Sequence, residues 1–319
     1  MAKFDTKMNR YPFVPITQRP TYEWPDGKRL AVYFALNIEA FEFGRNPGPD
    51  FTTMPAAPFH RGYAYRDFGN RVGVWRLLDL FREFDIPLSV LANTAVYDAY
   101  PALMAAFRQR GDEFVGHGRT NSERQIDMSE EEEREMLKEV RRRFEKEEGI
   151  APQGWLGPFI SQSTKTPELL VEQGFGYMLD WFYDEQPQLF RTDLGPILSV
   201  PYPSMELNDL PAVFNRRVSD AEFADLLIDA FEQQLQDSEK YPLVFSAALH
   251  TFVMGQPHRT RELRRALAHI ASHRDRVWIT TSGKIAEHAL SLPTGTLVSP
   301  DAADARVTPA QTAHGTSDV

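Results

Sequence analysis

The chain alternates between short runs of almost wholly apolar residues and longer stretches in which apolar residues recur at helical spacing. An apolar run without polar alternation is typical of a strand that is buried on both faces, as in a parallel sheet. The predicted strands are residues 30–38, 87–92, 114–116, 177–179, 197–202, 243–249 and 277–280.

Helical patterns fill most of the intervals between these runs. Residues 71–84 show helical apolar spacing, and Thr166 with Pro167 is a helix start signal. Two capping boxes mark the first residues of two more helices: Ser129 with Glu132 and Ser219 with Glu222. No linker divides the chain, so the pattern predicts one α/β domain, a closed or nearly closed (β/α) barrel of about seven parallel strands.

The barrel pattern occupies residues 29–290, and the two ends of the chain differ from it. Residues 1–28 are rich in proline and aromatic residues, which favours an extended arm on the barrel or on a neighbouring subunit. Residues 291–319 are small and turn-forming, which predicts a disordered tail. Residues 41–66 are bulky loop material that we expect to cover a small pocket.

Composition narrows the possible chemistry. The chain has 319 residues and no cysteine, which excludes disulfides, thiolate metal sites and cysteine nucleophiles. The net charge of −10 argues against a nucleic-acid partner. The longest apolar run, residues 30–36, is far shorter than the ~20 residues of a membrane helix. The N-terminus has no apolar signal core, so we expect a cytoplasmic protein without a membrane partner.

Four chemically versatile side chains follow predicted strands. Glu39, His117, Asp180 and His250 each stand at the carboxyl end of an apolar run. Because the carboxyl ends of parallel barrel strands share one open face, we expect the two carboxylates and two imidazoles to converge there.

Each of these side chains also has a structural interpretation. Glu39 is either a buried hydrogen-bond acceptor or a base with a raised pKa, and its place at a strand end favours the base. His117 lies between two glycines, which allow a backbone or ligand to come close. His250 fits a hydrogen-bonded core histidine equally well, and Asp180 fits a cap for the following turn.

The same strand ends, in this order, resemble the polysaccharide deacetylase superfamily, whose motifs lie on a distorted (β/α) barrel. The matching stretches are "ALNIEA", "HGRTN", "LGPF", "LDW" and "ALH", and the likeness spans residues 20–290. The sugar deacetylases of that superfamily hold a divalent ion at positions that correspond here to Ala40, His117 and Asn121. Two of the three ligands are missing, so the resemblance implies no cofactor. If zinc does bind, its ligands would be Glu39, His117 and Glu123.

Longer strings resemble the metal-independent allantoinases and cyclic-imide hydrolases of the same superfamily. They include "RVGVWRLLDLF", "GWLGP", "VPYPSMELND" and "LHTFVMGQPHRTRELRRAL". This likeness implies a hydrolase that opens a cyclic amide, imide or ureide, and a homo-oligomer, often a tetramer. "HGRTNSE" and "LDWFYDEQP" look less like the allantoinases proper, which indicates a sister subfamily with its own substrate.

The chemistry of ring opening assigns roles to three of these residues. As a hypothesis, Glu39 activates water as general base and His250 protonates the departing nitrogen. His117 orients the water or polarises the carbonyl.

A planar ring with alternating N–H and C=O groups also needs matching partners along its edge. Asn208 and Asp209 are the first candidates and Asp180 is a third, although "ELND" fits an ordinary turn equally well. Trp155 and Trp181 are candidates to stack on the ring.

Two other functions remain open at this point. One is a metal-dependent N-deacetylase of a carbohydrate or other acetamide, with a remade metal site. The other is a barrel without activity that only binds a ligand, which the presence of both Glu39 and His250 argues against. A bell-shaped dependence of rate on pH would indicate an enzyme with two titrating groups.

Overall fold

Nine strands and ten α-helices are present in the computed structural model, which describes residues 9–44 and 60–300. The strands are β1 (Leu30–Ile38), β2 (Leu88–Ala92), β3 (Glu113–Gly116), β4 (Gly154–Trp155), β5 (Tyr177–Met178), β6 (Gln188–Phe190), β7 (Ile197–Ser199), β8 (Leu243–His250) and β9 (Trp278–Ile279). The helices are α1 (His60–Phe68), α2 (Val74–Glu83), α3 (Val96–Ala99), α4 (Pro101–Arg110), α5 (Glu130–Glu148), α6 (Thr166–Glu172), α7 (Asp220–Asp237), α8 (Thr251–Met254), α9 (Pro257–Ala271) and α10 (Ser282–Ser291).

The strands form one curved sheet in the order β6-β7-β5-β4-β3-β2-β1-β8, and β9 pairs with the first half of β1. Every pairing is parallel except that of β6 with β7. Irregular segments continue the barrel between its two edges, because Val244 N donates to Glu185 O at 2.9 Å and Ala248 N donates to Leu207 O at 3.1 Å. The sheet is therefore the mostly parallel half-barrel of a (β/α) barrel, which confirms the predicted fold class.

The alternation of side chains on β1 divides the core into two layers. Leu30, Val32 and Phe34 pack outward against the helices, whereas Ala31 and Tyr33 point into the barrel. Residues of α10 join the inner layer: Ile285, Ala286 and Ala289. Because α10 fills the amino-terminal end of the barrel, the carboxyl ends of the strands form the open end.

All seven predicted strands are present, but β4 and β6 were not predicted. Both are short, and their apolar residues are flanked by glycine or polar residues, so neither stands out as an apolar run. Both predicted capping boxes are formed, with Ser129 accepting from Glu132 N and Ser219 accepting from Glu222 N.

The described part of the N-terminal arm packs on the barrel of its own chain. Tyr11 stacks on Tyr183 with ring centroids 3.9 Å apart, and Trp24 Nε1 donates to Leu243 O at 3.0 Å. Residues 1–8 of the predicted arm, 45–59 of the predicted cover and 301–319 of the predicted tail lie outside the described residues. Among the described helices, none combines the length and apolar content that crossing a bilayer requires.

Candidate active site

A cavity of about 210 Å³ opens at the carboxyl ends of the strands. Glu39, His117 and His250 line it, from the ends of β1, β3 and β8. Most of the other lining side chains are apolar, among them Phe41, Leu156, Phe159, Ile160, Met205 and Phe252. The cavity is thus a largely apolar chamber with a few convergent polar groups, the usual form of a small-molecule site.

Strand register brings Glu39 and His250 together. Asn37 of β1 pairs with His250 of β8, so Glu39 leaves its strand beside the histidine. The backbone around Glu39 is fixed from both sides, since Asn70 Nδ2 donates to Glu39 O at 2.7 Å and Ala40 N donates to Asn93 Oδ1 at 2.9 Å.

A glycine turn holds His117 in place after β3. Gly118 has a left-handed φ of +74°, and a Cβ there would lie 2.6 Å from Cγ of Pro158. Only glycine fits this close approach without strain. The prediction that the glycines beside His117 allow a close approach is therefore confirmed at Gly118.

The Glu39 carboxylate lies midway between the two imidazoles. Its Oε1 is 3.7 Å from Nε2 of His117 and 3.7 Å from Nε2 of His250. All three residues are at least 93% buried, with exposed fractions of 7%, 2% and 6%. The separations exceed direct hydrogen-bond length, which leaves the three polar atoms available to a small molecule or a water.

Glu39 remains ionised although it is buried. Burial raises the pKa of Glu39, but the nearby His250, His117 and Arg66 side chains outweigh burial and hold this pKa below its usual value. The expectation of a raised pKa was therefore wrong. Sequence position indicated the burial, but it could not show how many cationic and polar groups surround the carboxylate.

Asp209 holds His250 in one orientation. The His250 ring nitrogen Nδ1 donates to Asp209 Oδ1 at 2.6 Å, and the His250 backbone N donates to Asp209 Oδ2 at 2.7 Å. Burial lowers the pKa of His250, but the carboxylates of Asp209 and Glu39 raise it more, so the net shift is upward. The ring therefore keeps its proton above the usual histidine range and directs Nε2–H toward Glu39.

His117 is fixed through its other ring nitrogen. Its Nδ1 lies 2.7 Å from the carbonyl oxygen of Leu156, which can only accept a hydrogen bond. Nδ1 therefore carries the hydrogen, and in the neutral ring Nε2 is a lone-pair acceptor. This Nε2 is buried without a hydrogen-bond partner.

Several polar residues of the cavity, Asn121 and Arg66 among them, were not predicted as substrate contacts. Asn121 was considered only as a lost metal ligand, yet it lines the cavity and its Oδ1 is buried without a hydrogen-bond partner. Arg66 of α1 is 4% exposed and lies against two rings, 5.0 Å from the centroid of Phe41 and 5.7 Å from that of Phe252. A residue on a helix gives no strand-end signal, which is why Arg66 was missed.

The structure separates the predicted substrate-binding residues. Asn208 lines the cavity. Asp209 is fully buried and both its oxygens engage His250, so we correct its expected role as a contact to the ring edge. Trp155 is also fully buried, in the outer core, where Nε1 donates to Gln125 Oε1 at 3.2 Å. Its expected stacking on a substrate is therefore corrected as well.

Asp180 and Trp181 line a second, more open cavity of about 430 Å³. Asp180 Oδ1 accepts from Gly157 N at 2.7 Å, and Trp181 Nε1 donates to Gln162 Oε1 at 2.8 Å. Burial raises the pKa of Asp180 to about 7. Ile160 lines both cavities, so these two residues adjoin the first cavity rather than line it.

The residues at the positions that hold a divalent ion in the sugar deacetylases do not fit such an ion here. Ala40 offers no side-chain ligand, Asn121 is a neutral amide, and Glu123 is held by Arg119 at 2.9 Å. A catalytic zinc normally takes three protein ligands, and here His117 Nε2 is the one imidazole at those positions. Glu39, His117 and His250 also do not bring their ligand atoms within 4.8 Å of one another; within residues 9–44 and 60–300, only Glu232, His269 and His273 meet that condition.

Known proteins of similar sequence and fold cover most of the chain. The chain matches no family model. It is 26% identical over 300 residues to a Schizosaccharomyces pombe protein named as a polysaccharide deacetylase, covering 84% of this chain and 92% of that protein. The structure of PuuE allantoinase is 29% identical, with a TM-score of 0.76 over 87% of this chain and 97% of that one. A structure from Pseudomonas aeruginosa PAO1, described as a polysaccharide deacetylase, is also 29% identical, with a TM-score of 0.74 over 85% and 94% of the two chains.

Proposed function

We propose that the chain is a hydrolase of carbon–nitrogen bonds, like the deacetylases and the allantoinase to which it is similar, and that it opens a cyclic amide, imide or ureide. The observation that carries this proposal is the buried Glu39 carboxylate, whose Oε1 lies 3.7 Å from Nε2 of both His117 and His250. The surrounding charges lower the pKa of Glu39 and raise that of His250, which suits the first to act as a base and the second as an acid in amide hydrolysis by water.

The proposed reaction begins with one water bound between Glu39 and His117. Nε2 of His117 accepts one hydrogen bond from the water and thereby orients it, while Glu39 takes the other proton. The water oxygen forms a bond to the ring carbonyl carbon, and the carbon–nitrogen bond breaks as Nε2–H of His250 gives its proton to the departing nitrogen. The products are a carboxylic acid and an amine or amide on the same opened chain.

The neighbouring polar residues would hold the ring and its developing charge. In its neutral form Nε2 of His117 accepts a hydrogen bond and orients the water, whereas a protonated ring would donate to the carbonyl oxygen and polarise it. Arg66 supplies positive charge to the cavity and would stabilise the oxyanion. The buried Oδ1 of Asn121 would accept a ring N–H, and Asn208 would contact the ring edge.

The size of the cavity supports a small ring over a sugar polymer. Its volume of about 210 Å³ lies below the ~300–1,000 Å³ of pockets that take drug-sized ligands. An extended carbohydrate needs a longer groove. We therefore favour a single heterocycle, hydrolysed without a metal, in line with the poor fit of the donor set.

The runner-up is an N-deacetylase, which the name of the fission-yeast relative suggests. The test is hydrolysis of allantoin, succinimide, glutarimide, hydantoin and an N-acetylated chitooligosaccharide, each with and without a strong chelator. Chelator-resistant ring opening would support the proposal, whereas acetate release that chelation abolishes would establish the deacetylase. If the intact protein turns over none of these compounds, the result would favour an inactive barrel that only binds a ligand.

Two further expectations belong to this proposal. We expect the enzyme to act in the cytoplasm, which fractionation of the source cells would test. We also expect a homo-oligomer, which sedimentation of the purified protein would test.

A further inference from the structure

A second group of potential metal ligands lies on the outer face of the barrel, where α7 packs against α9. Glu232 belongs to α7, His269 to the last turn of α9, and His273 to the turn that follows. One ligand atom from each residue lies within 4.8 Å of the others. None of the three lines the active-site cavity.

The ligand atoms already converge on one carboxylate oxygen. Nε2 of His269 is 2.6 Å from Oε1 of Glu232, and Nε2 of His273 is 3.7 Å from the same oxygen. Ligand atoms on a tetrahedral zinc ion are ~3.3 Å apart, given zinc–ligand bonds of ~2.0–2.1 Å. The observed separations bracket this value, so small side-chain rotations would admit an ion.

A hydrogen bond fixes the tautomer of His273 that can bind a metal. Its Nδ1 lies 3.0 Å from the carbonyl oxygen of His269, so Nδ1 carries the hydrogen and Nε2 offers its lone pair. A backbone carbonyl on the distal nitrogen is the usual partner of a metal-binding histidine. Phe231 packs against both imidazoles, with centroids 6.1 Å and 5.5 Å away, which restricts the two rings.

The electrostatic surroundings favour a cation. The carboxyl end of α9 carries the partial negative charge of the helix dipole. Asp229 and Glu239 line a cleft with Glu232, where Arg276 offsets part of their charge. The side chains of Glu232, His269 and His273 are 45%, 33% and 22% exposed, so an ion could enter from solvent.

We propose that Glu232, His269 and His273 bind one zinc ion, with water completing its coordination. Two imidazole nitrogens and one carboxylate oxygen form a common zinc donor set. The ion replaces the proton that joins His269 to Glu232 and ties α7 to α9. This site is structural and independent of the proposed ring-opening activity, so a zinc atom found in the purified protein would not indicate a metalloenzyme.

The test uses the full-length chain without a histidine tag, titrated with zinc chloride by calorimetry and followed by thermal unfolding. We expect one zinc per chain and a higher unfolding temperature with zinc. His273→Ala and His269→Ala should weaken binding at least ~10-fold, because each removes one of three ligands. His258→Ala is the matched control, since it removes an exposed histidine from the other end of α9.

Thermal unfolding of each variant without zinc checks that it is folded. Glu232→Gln tests the third ligand with a smaller change of side chain than alanine. The proposal is overturned if the intact chain binds no zinc, or if both histidine variants bind it as the intact chain does. Loss of zinc in Glu39→Gln but not in His273→Ala would also overturn it, because the ion would then lie in the cavity. Turnover of a ring substrate is measured separately and does not affect this outcome.

Discussion

Glu39 combines burial with a lowered pKa, and this combination determines what the residue can do. An isolated carboxylate at 7% exposure would bind a proton to escape desolvation. Here His250, His117 and Arg66 offset that cost and keep the negative charge. The same charge raises the pKa of His250, so each group maintains the protonation state that the other needs.

Replacement of Glu39 by glutamine should abolish turnover. The amide keeps the shape of the side chain but cannot accept a proton, which removes a base worth ~10²–10⁴ in rate. Initial rates on the substrate found in the panel measure the effect, and circular dichroism checks the fold. Glu123→Gln is the control, because Glu123 pairs with Arg119 and should be dispensable for catalysis. Full activity in Glu39→Gln would remove Glu39 from the mechanism.

The dependence of kcat/KM on pH should be a broad bell. Activity needs Glu39 ionised, and its lowered pKa places the acid limb below the usual carboxyl value of 4.5. Activity also needs His250 protonated, and its raised pKa places the alkaline limb above the usual histidine value of 6.5. An alkaline limb at or below the ordinary histidine value would contradict the assignment of His250 as the acid.

Asp209→Asn should move that alkaline limb to lower pH. The substitution removes one of the two carboxylates that raise the pKa of His250, and a close opposite charge is worth ~1–3 pKa units. The acid limb should move little, because Asp209 does not contact Glu39 directly. A lower rate with an unchanged pH profile would mean that Asp209 supports the fold without tuning His250.

At the scale of elements, the strands that stand in apolar runs were predictable, whereas β4 and β6 were not. The nine residues of β1 and eight of β8 are buried throughout, so their apolar runs predicted both strands and the placement of Glu39 and His250. The two residues of β4 do not stand out as an apolar run, and their Trp155 was expected to stack on the substrate although it lies in the core. Arg66 and Asn121 enter the cavity from a helix and a loop, where only the folded chain shows which side chains meet.

Gly118→Ala should destabilise the fold and impair catalysis, whereas Gly111→Ala should only destabilise it. Both glycines have φ of +74°, so alanine costs ~1–2 kcal/mol of unfolding free energy at either position. A Cβ at Gly111 meets nothing within 4 Å, but one at Gly118 would strike Pro158 and add ~1–3 kcal/mol. Urea unfolding measures the difference, and kcat should fall only for Gly118, which adjoins His117. Equal losses of unfolding free energy in the two variants would mean that Pro158 moves aside without cost.

At the scale of the whole molecule, the barrel separates chemistry from stability. α10 fills one end, the reactive groups occupy the other, and the proposed zinc site lies outside both, between α7 and α9. In a barrel, the loops at the open end can change while the packed strands and outer helices hold the fold. This separation means that a metal and the reaction can be tested independently in the same sample.

Removal of metal from the zinc-loaded protein should lower its unfolding temperature and leave the rate of ring opening unchanged. The ion binds the folded chain and stabilises it by mass action, so its removal costs stability. The reaction uses Glu39 and two imidazoles that lie away from this ion, so chelation leaves them intact. Calorimetric unfolding and steady-state rates, taken before and after dialysis against a chelator, measure both effects. If chelation lowers the rate and zinc restores it in both the intact chain and His273→Ala, a metal lies in the cavity and the proposed mechanism is contradicted. If chelation leaves the unfolding temperature of the intact chain unchanged, only the outer zinc site is contradicted.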